Sequence, residues 1–133
     1  MLEVIDRGEF LEFVYAGAYD VGALVELARV VNDRCTAQHR WGALVDVATI
    51  NEVLPRLALW EQAKAMASFW NRRIRLAVIG NPEQASADLI DSPNLRQDFW
   101  QLTLQNQGIR ARVFTDRAEA TSWLVAALRD AIK

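Results

Sequence analysis

The chain has 133 residues, of which 52% are hydrophobic and 24% are charged, and its formal net charge is −2 at pH 7. This length and mixture are typical of one folded domain with its own core. The acidic balance argues against general affinity for nucleic acids, which requires clustered cationic charge. No uncharged apolar stretch is long enough to span a bilayer, so we expect no transmembrane segment.

The compartment is indicated by the N-terminus and by cysteine usage. Charges at Glu3, Asp6 and Arg7 interrupt the first residues, so we expect no signal peptide. Cys35 is the only cysteine and cannot form an internal disulfide. A reducing compartment suits such a chain, and we therefore expect a cytoplasmic protein.

The N-terminal part predicts a hairpin followed by a helix. "LEVID" and "EFLEFVYAG" are two extended segments around the polar turn 6–9, which contains Gly8. Asp20 is placed to cap a helix, because its side chain can accept from amides of the first turn. One apolar face of that helix is formed at helical spacing by Leu24, Ala28, Val31 and Cys35.

The middle of the chain alternates between buried strands and helices. "WGALVDV" is a short apolar run that predicts a buried strand. Pro55 then suits the first turn of a helix carrying "RLALWEQAKAMASFWN". "IRLAVIG" predicts a second buried strand that stops at Gly80, and residues 83–90 suggest a short helix.

The C-terminal part predicts a helix, a strand and a final helix. Residues 95–107 form the first helix, with Gly108 as its C-terminal cap. "IRARVF" alternates apolar and charged residues, which is typical of a half-exposed strand near a sheet edge. Asp116 and Glu119 have capping-box spacing, so we expect Asp116 to serve the backbone of the final helix.

This order of elements predicts an α/β fold. Strands that alternate with helices imply right-handed crossovers and a largely parallel sheet covered by helices. The first strand is joined by a hairpin and should run antiparallel to its neighbour. We therefore expect a single domain over residues 1–133, with a mixed, mostly parallel five-stranded sheet, an N-terminal hairpin and flanking helices.

The element order, with "ALVDV", "IRLAVIG" and "ARVFTDRAEATSWL", resembles the SpoIIAA-like group of STAS-fold proteins. These are small bacterial single-domain proteins, mostly of unassigned function. The resemblance spans nearly the whole chain and implies the same α/β fold. Among the family are anti-sigma-factor antagonists, in which a serine or threonine in an Asp-Ser-x-Gly-like turn after the central strand is phosphorylated.

The present sequence departs from that phosphorylation motif. The segment 46–52 after the central strand has no glycine, and Thr49 is its only hydroxyl. An "IDS" occurs at residues 90–92, but it follows a later strand and precedes Pro93, which is ordinary turn chemistry. A phosphorylation switch at Thr49 is therefore not expected. The fold also resembles lipid-carrier domains of the Sec14 type, which implies an apolar ligand as the alternative.

Catalytic and metal-binding sets are not evident in the sequence. His39 is the only histidine, so we expect no Ser-His-Asp set, no multi-histidine metal site and no paired imidazole. Cys35 and His39 have i,i+4 spacing, but the helix is expected to end near Cys35, with His39 in a polar loop. No glycine-rich phosphate loop is present. We expect no enzyme, no cofactor and no metal.

Polar residues follow the predicted parallel strands, where ligands bind in open α/β sheets. We favour loop and cap roles for them, because Asp and Asn are common at such junctions. A small molecule, if bound, is expected at this strand-end crevice. The crevice residues are Asp46, Thr49, Asn81, Thr115 and Asp116.

An aromatic-rich apolar surface is predicted on the helix after Pro55 and on helix 95–107. It is too wide to be covered by one sheet. Neighbouring helices 83–90 and 95–107 can cover it, or it can close a homodimer, receive a protein partner or line an apolar pocket. Its residues are Leu59, Trp60, Ala63, Met66, Phe69, Trp70, Phe99 and Trp100.

Arg72, Arg73 and Arg75 form a basic group after the same helix, where cations complement the helix dipole. Three charges are fewer than lipid-recognition clusters carry. The residues and the resemblance together predict a non-enzymatic STAS-like domain that acts through protein contacts as a homodimer, and the resemblance implies a regulatory function. The alternative is an apolar-ligand or lipid-binding module.

Overall fold

The computed structural model describes residues 1–17, 19–49, 55–80 and 95–132, without the side chains of 95–98, 131 and 132. The strands are β1 (Leu2–Asp6), β2 (Leu11–Tyr15), β3 (Gly42–Asp46), β4 (Arg75–Ile79) and β5 (Arg110–Phe114). The helices are α1 (Val21–Gln38), α2 (Arg56–Ala67), α3 (Leu95–Asn106) and α4 (Arg117–Ile132). The predicted short helix at 83–90 lies outside the described residues.

The five strands form one sheet in the order β1-β2-β3-β4-β5. β1 pairs antiparallel with β2, and all other neighbours are parallel. The predicted mixed, mostly parallel α/β sheet with an N-terminal hairpin is therefore confirmed. β5 lies at one edge, as its alternating pattern predicted, and exposes Arg110 and Arg112.

Local turn and cap chemistry follows the sequence closely. Gly8 has φ of 88°, and the Arg7 N–H donates to the Phe10 carbonyl at 3.0 Å, which closes the hairpin turn. Asp20 caps α1 by accepting from the Ala23 N–H at 2.8 Å. Gly108 has φ of 80° and follows α3, as expected of a C-terminal cap.

Two helix ends differ from the prediction. α1 continues to Gln38, because the backbone turns only at His39, which adopts the left-handed conformation with φ of 53°. His39 is thus the cap of α1 and does not lie in a free loop. α2 ends at Ala67, where the Ser68 hydroxyl donates to the Ala65 carbonyl at 2.7 Å. Phe69 and Trp70 therefore follow the helix.

The sheet separates two apolar cores. α1, α2 and α3 pack on one face, against strand residues that include Phe13, Val45 and Leu76. α4 packs on the other face, where Leu124 lies against a core that includes Leu44. This arrangement follows from the alternation of side chains along each strand, which sends neighbours to opposite faces.

Candidate functional site

The strand-end crevice is formed where β3, β4 and β5 end side by side. The Val47 N–H donates to the Ile79 carbonyl at 3.0 Å, and the Gly80 N–H donates to the Phe114 carbonyl at 2.7 Å. These bonds extend the strand pairing to the edge of the sheet. Thr49 and Thr115 are exposed there, whereas Asn81 lies outside the described residues.

Asp46 is already engaged by the protein. One carboxylate oxygen accepts from the Ala48 N–H at 2.9 Å, and the other pairs with the Arg117 guanidinium. The predicted loop role of Asp46 is therefore confirmed, and an ion pair is added to it. An aspartate with both oxygens occupied in this way is poorly suited to accept a proton from a substrate.

The arginine that holds Asp46 also reaches a buried glutamate. Glu12 on β2 is 3% exposed, and its two carboxylate oxygens pair with Arg7 at 3.2 Å and with Arg117 at 2.9 Å. We call Arg7, Glu12, Asp46 and Arg117 the Glu12 cluster. Partial burial disfavours the charge on Arg117, but hydrogen bonds and attraction from Glu12, then Asp46, outweigh it and raise its pKa.

Asp116 also serves the backbone, as the sequence predicted. Its carboxylate accepts from the Ala118 N–H at 2.7 Å and from the Glu119 N–H at 3.3 Å. These two amides belong to the first turn of α4, which has no carbonyl partners for them within the helix. Of the crevice residues that the structure describes, both aspartates are thus committed to local structure.

Most of the predicted aromatic surface is buried within the chain. α2 packs between α1 and α3. The sequence predicted that α3 could cover this surface, but it did not predict that α1 also packs against α2. Phe69 and Phe99 are partly buried, with the guanidinium carbons of Arg29 and Arg56 at 4.4 and 5.7 Å from their ring centroids. The residues with 8% exposure or less are Leu59, Ala63, Met66, Trp70 and Trp100.

Two apolar residues of α2 remain in solvent. Trp60 is 42% exposed and Leu57 is 65% exposed. They are three residues apart and therefore share one face of the helix. The Lys64 amine lies 5.0 Å from the centroid of the Trp60 indole. We call Leu57 and Trp60 the α2 strip; Leu57 is not among the residues predicted for the aromatic-rich surface.

A small cavity lies among the helices and the sheet. Its volume is about 40 Å³, and its lining is largely apolar, with Met66, Trp70 and Trp100 among the residues around it. Gln62 accepts from the Trp100 indole N–H at 3.1 Å. Within the described part of the chain, the buried Trp70 indole N–H has no hydrogen-bond partner.

Cys35 and His39 do not form a catalytic pair in the structure. The Cys35 thiol is fully buried and lies 3.8 Å from the Gly42 carbonyl, to which it donates. Burial raises the pKa of this thiol to about 12, so the nucleophilic thiolate is suppressed. The His39 ring packs edge-on against Trp41, with centroids 5.9 Å apart.

No group of three or more His, Cys, Asp or Glu that could hold a metal ion occurs among the described residues. In the same ranges, no helix is long and apolar enough to cross a bilayer. Neither the models of known protein families nor the curated protein sequences match this chain. The resemblance to the SpoIIAA-like group thus stands on the residues quoted above, and function has to be argued from the chain's own surfaces.

Proposed function

We propose that the chain is a non-enzymatic STAS-like domain that acts in the cytoplasm through protein contacts, in a regulatory role, as a homodimer. The observation that carries this proposal is the α2 strip. Tryptophan is enriched at protein interfaces and is prominent among residues that dominate binding energy. An indole left 42% exposed beside an exposed leucine is a surface that a second copy can cover.

The state of the candidate catalytic groups supports a binding role. Cys35 is held as a neutral buried thiol, and Asp116 is used as a helix cap. Asp46 is paired with Arg117. Nucleophilic or general-base catalysis requires groups that can reach a substrate in a reactive protonation state.

Light scattering after size exclusion tests the homodimer. We expect a dimer for the wild type and folded monomers for Trp60→Asp and Leu57→Asp, because each change places a charge in the apolar contact. Leu102→Asp is a matched control, since Leu102 is also exposed, at 55%, but lies on α3. A monomeric wild type, or a dimer that both α2 variants retain, contradicts the proposal.

The second candidate function is binding of a small apolar ligand in the cavity beside Trp70. The unpartnered indole N–H favours an apolar ligand that carries one hydrogen-bond acceptor, such as the carboxyl group of a fatty acid, since a buried donor without an acceptor is costly. The volume of about 40 Å³ is far below the roughly 300–1,000 Å³ of ordinary ligand pockets. Entry of an acyl chain therefore requires repacking. Native mass spectrometry should show a copurified ligand that Trp70→Phe loses; an unliganded wild type contradicts this candidate.

A further inference from the structure

An open pocket with a volume of about 710 Å³ lies at the amino ends of β3, β4 and β5. It is on a different part of the fold from the α2 strip and shares no residue with it. Its lining includes five of the chain's 15 arginines and lysines, although the chain as a whole is acidic. We call it the basic hollow and define it by Arg40, Trp41, Arg73, Arg75, Arg110 and Arg129.

Among the residues that the structure describes, two of the five arginines have carboxylate partners. Arg40 pairs with Asp6 at 3.3 Å, and Arg129 pairs with Glu9 at 3.5 Å. Among the described residues, the other three arginines of the hollow form no ion pair with a carboxylate. Arg73 lies 4.2 Å from the centroid of the Trp41 ring, which orients its guanidinium but does not neutralise it.

Two of the unneutralised arginines are direct neighbours in the sheet. Arg75 on β4 is in register with Arg110 on β5. Like charges placed opposite each other on neighbouring strands are destabilising. Burial, and then repulsion from Arg110, lower the pKa of Arg75. The fold therefore carries an electrostatic cost at this position that no described carboxylate relieves.

The partial negative charges at helix ends offset only part of the positive charge of these arginines. His39, the cap of α1, and Arg129, in the last turn of α4, both line the hollow, so the carboxyl ends of two helices face it. Each such end carries roughly half a negative charge, and its effect falls off within the last turn. The Arg40 guanidinium donates a hydrogen bond to the carbonyl of Gln38, the last residue of α1, at 3.3 Å. Three further guanidiniums exceed what the dipoles neutralise.

We propose that the basic hollow is a binding site for a small molecule that carries phosphate groups. Guanidinium forks match phosphate oxygens in geometry and in charge. Three unneutralised cations suit a diphosphate better than a single carboxylate. The concave volume of about 710 Å³ falls within the range of small-molecule pockets, which favours a compact ligand over a polymer or a flat membrane.

Calorimetric titration with pyrophosphate tests the site, in about 50 mM and about 200 mM salt. We expect binding to the wild type that weakens with salt. Arg110→Gln and Arg75→Gln should each weaken it by about tenfold, since a charge-assisted hydrogen bond is lost. Arg112→Gln is the matched control, because Arg112 lies on the same strand and is exposed but does not line the hollow. Its affinity should stay within about twofold of wild type.

Further arms of the experiment separate the sources of phosphate. Inorganic phosphate should bind more weakly than pyrophosphate. Flotation with phosphatidylcholine vesicles containing phosphatidylserine, and titration with a single-stranded oligonucleotide, should show no binding that depends on Arg110. Absence of pyrophosphate binding, equal loss in Arg112→Gln, or Arg110-dependent binding to vesicles or oligonucleotide alone would overturn the proposal. Circular dichroism of each variant confirms that it is folded.

Discussion

The Glu12 cluster and the basic hollow differ in how their charges are balanced. In the Glu12 cluster, two carboxylates are matched by two arginines, and one carboxylate is almost fully buried. In the basic hollow, five arginines have two carboxylate partners within the described part of the chain. A closed set of ion pairs has nothing left to offer a ligand, whereas an unbalanced set attracts one. This difference fits a structural role for the Glu12 cluster and supports the binding role proposed for the basic hollow.

The largest expected effect comes from breaking the balanced cluster. Arg117→Ala removes one partner from buried Glu12 and the side-chain partner of Asp46. Because Arg117 is itself partly exposed and Glu12 keeps Arg7, we expect the free energy of unfolding to fall by about 2–3 kcal/mol, below the full cost of breaking a buried pair. Urea unfolding measures this change. The control Arg112→Ala should alter stability by less than about 0.5 kcal/mol.

A loss below about 1 kcal/mol for Arg117→Ala would mean that the cluster behaves like an ordinary surface ion pair. The Glu12 cluster and the basic hollow would then differ only in the number of arginines that lack a carboxylate partner, and not in their contribution to stability. Glu12→Gln offers a second test of the same cluster, because it removes the buried charge and keeps the shape of the side chain. It should also lower stability, since two guanidiniums lose their carboxylate.

The sequence predicted the elements and caps of this fold because those depend on nearby residues. Asp20 and Asp116 each accept from amides two or three residues ahead, which spacing alone reveals. The strand at the sheet edge was visible in the alternation of "RARVF". The helix ends were predicted less accurately. His39 is not a glycine, and although histidine adopts the left-handed conformation more often than most residues, this preference is too weak to predict the end of α1.

Sites built from distant segments could not be predicted in the same way. Arg117 meets Asp46 across 71 residues, and only the placement of α4 over the sheet makes that pair. The sequence does mark Glu12 as unusual, because its charge lies between the apolar residues Leu11 and Phe13, but it does not indicate which arginines pair with it. Arg73 and Arg75 were recognised as a basic group, whereas the other arginines of the hollow join it only through folding.

A smaller effect, of opposite sign, is expected from the unbalanced hollow. Arg110→Gln removes the like charge that faces Arg75, so the free energy of unfolding should rise by roughly 0.5 kcal/mol in the absence of ligand. Urea unfolding at low salt measures it. In about 1 M salt the gain should shrink, because exposed charges are screened. A loss of stability would show that the hollow serves the fold, as the Glu12 cluster does, and would remove the contrast between them.

The smallest effect concerns the pH dependence of a carboxylate at the rim of the hollow. A hydrogen bond from the Gly8 N–H is the main reason why the pKa of Asp6 lies below its ordinary value of 3.8. Burial opposes this effect, and attraction and a hydrogen bond from Arg40 add smaller contributions that lower the pKa. A lowered pKa in the folded state means that the stabilisation is fully present above the ordinary pKa and is lost as pH falls through the folded value.

Asp6→Asn should therefore reduce stability slightly near neutral pH and make no difference at the acid end. Thermal unfolding of both proteins from pH 6 down to pH 2.5 measures this convergence. Asp33→Asn is a control of the same residue type on the exposed surface of α1. Curves that stay parallel across this range would mean that Asp6 titrates alike in the folded and unfolded states. Asp6 would then stabilise the folded state less than its contacts with the Gly8 N–H and Arg40 indicate.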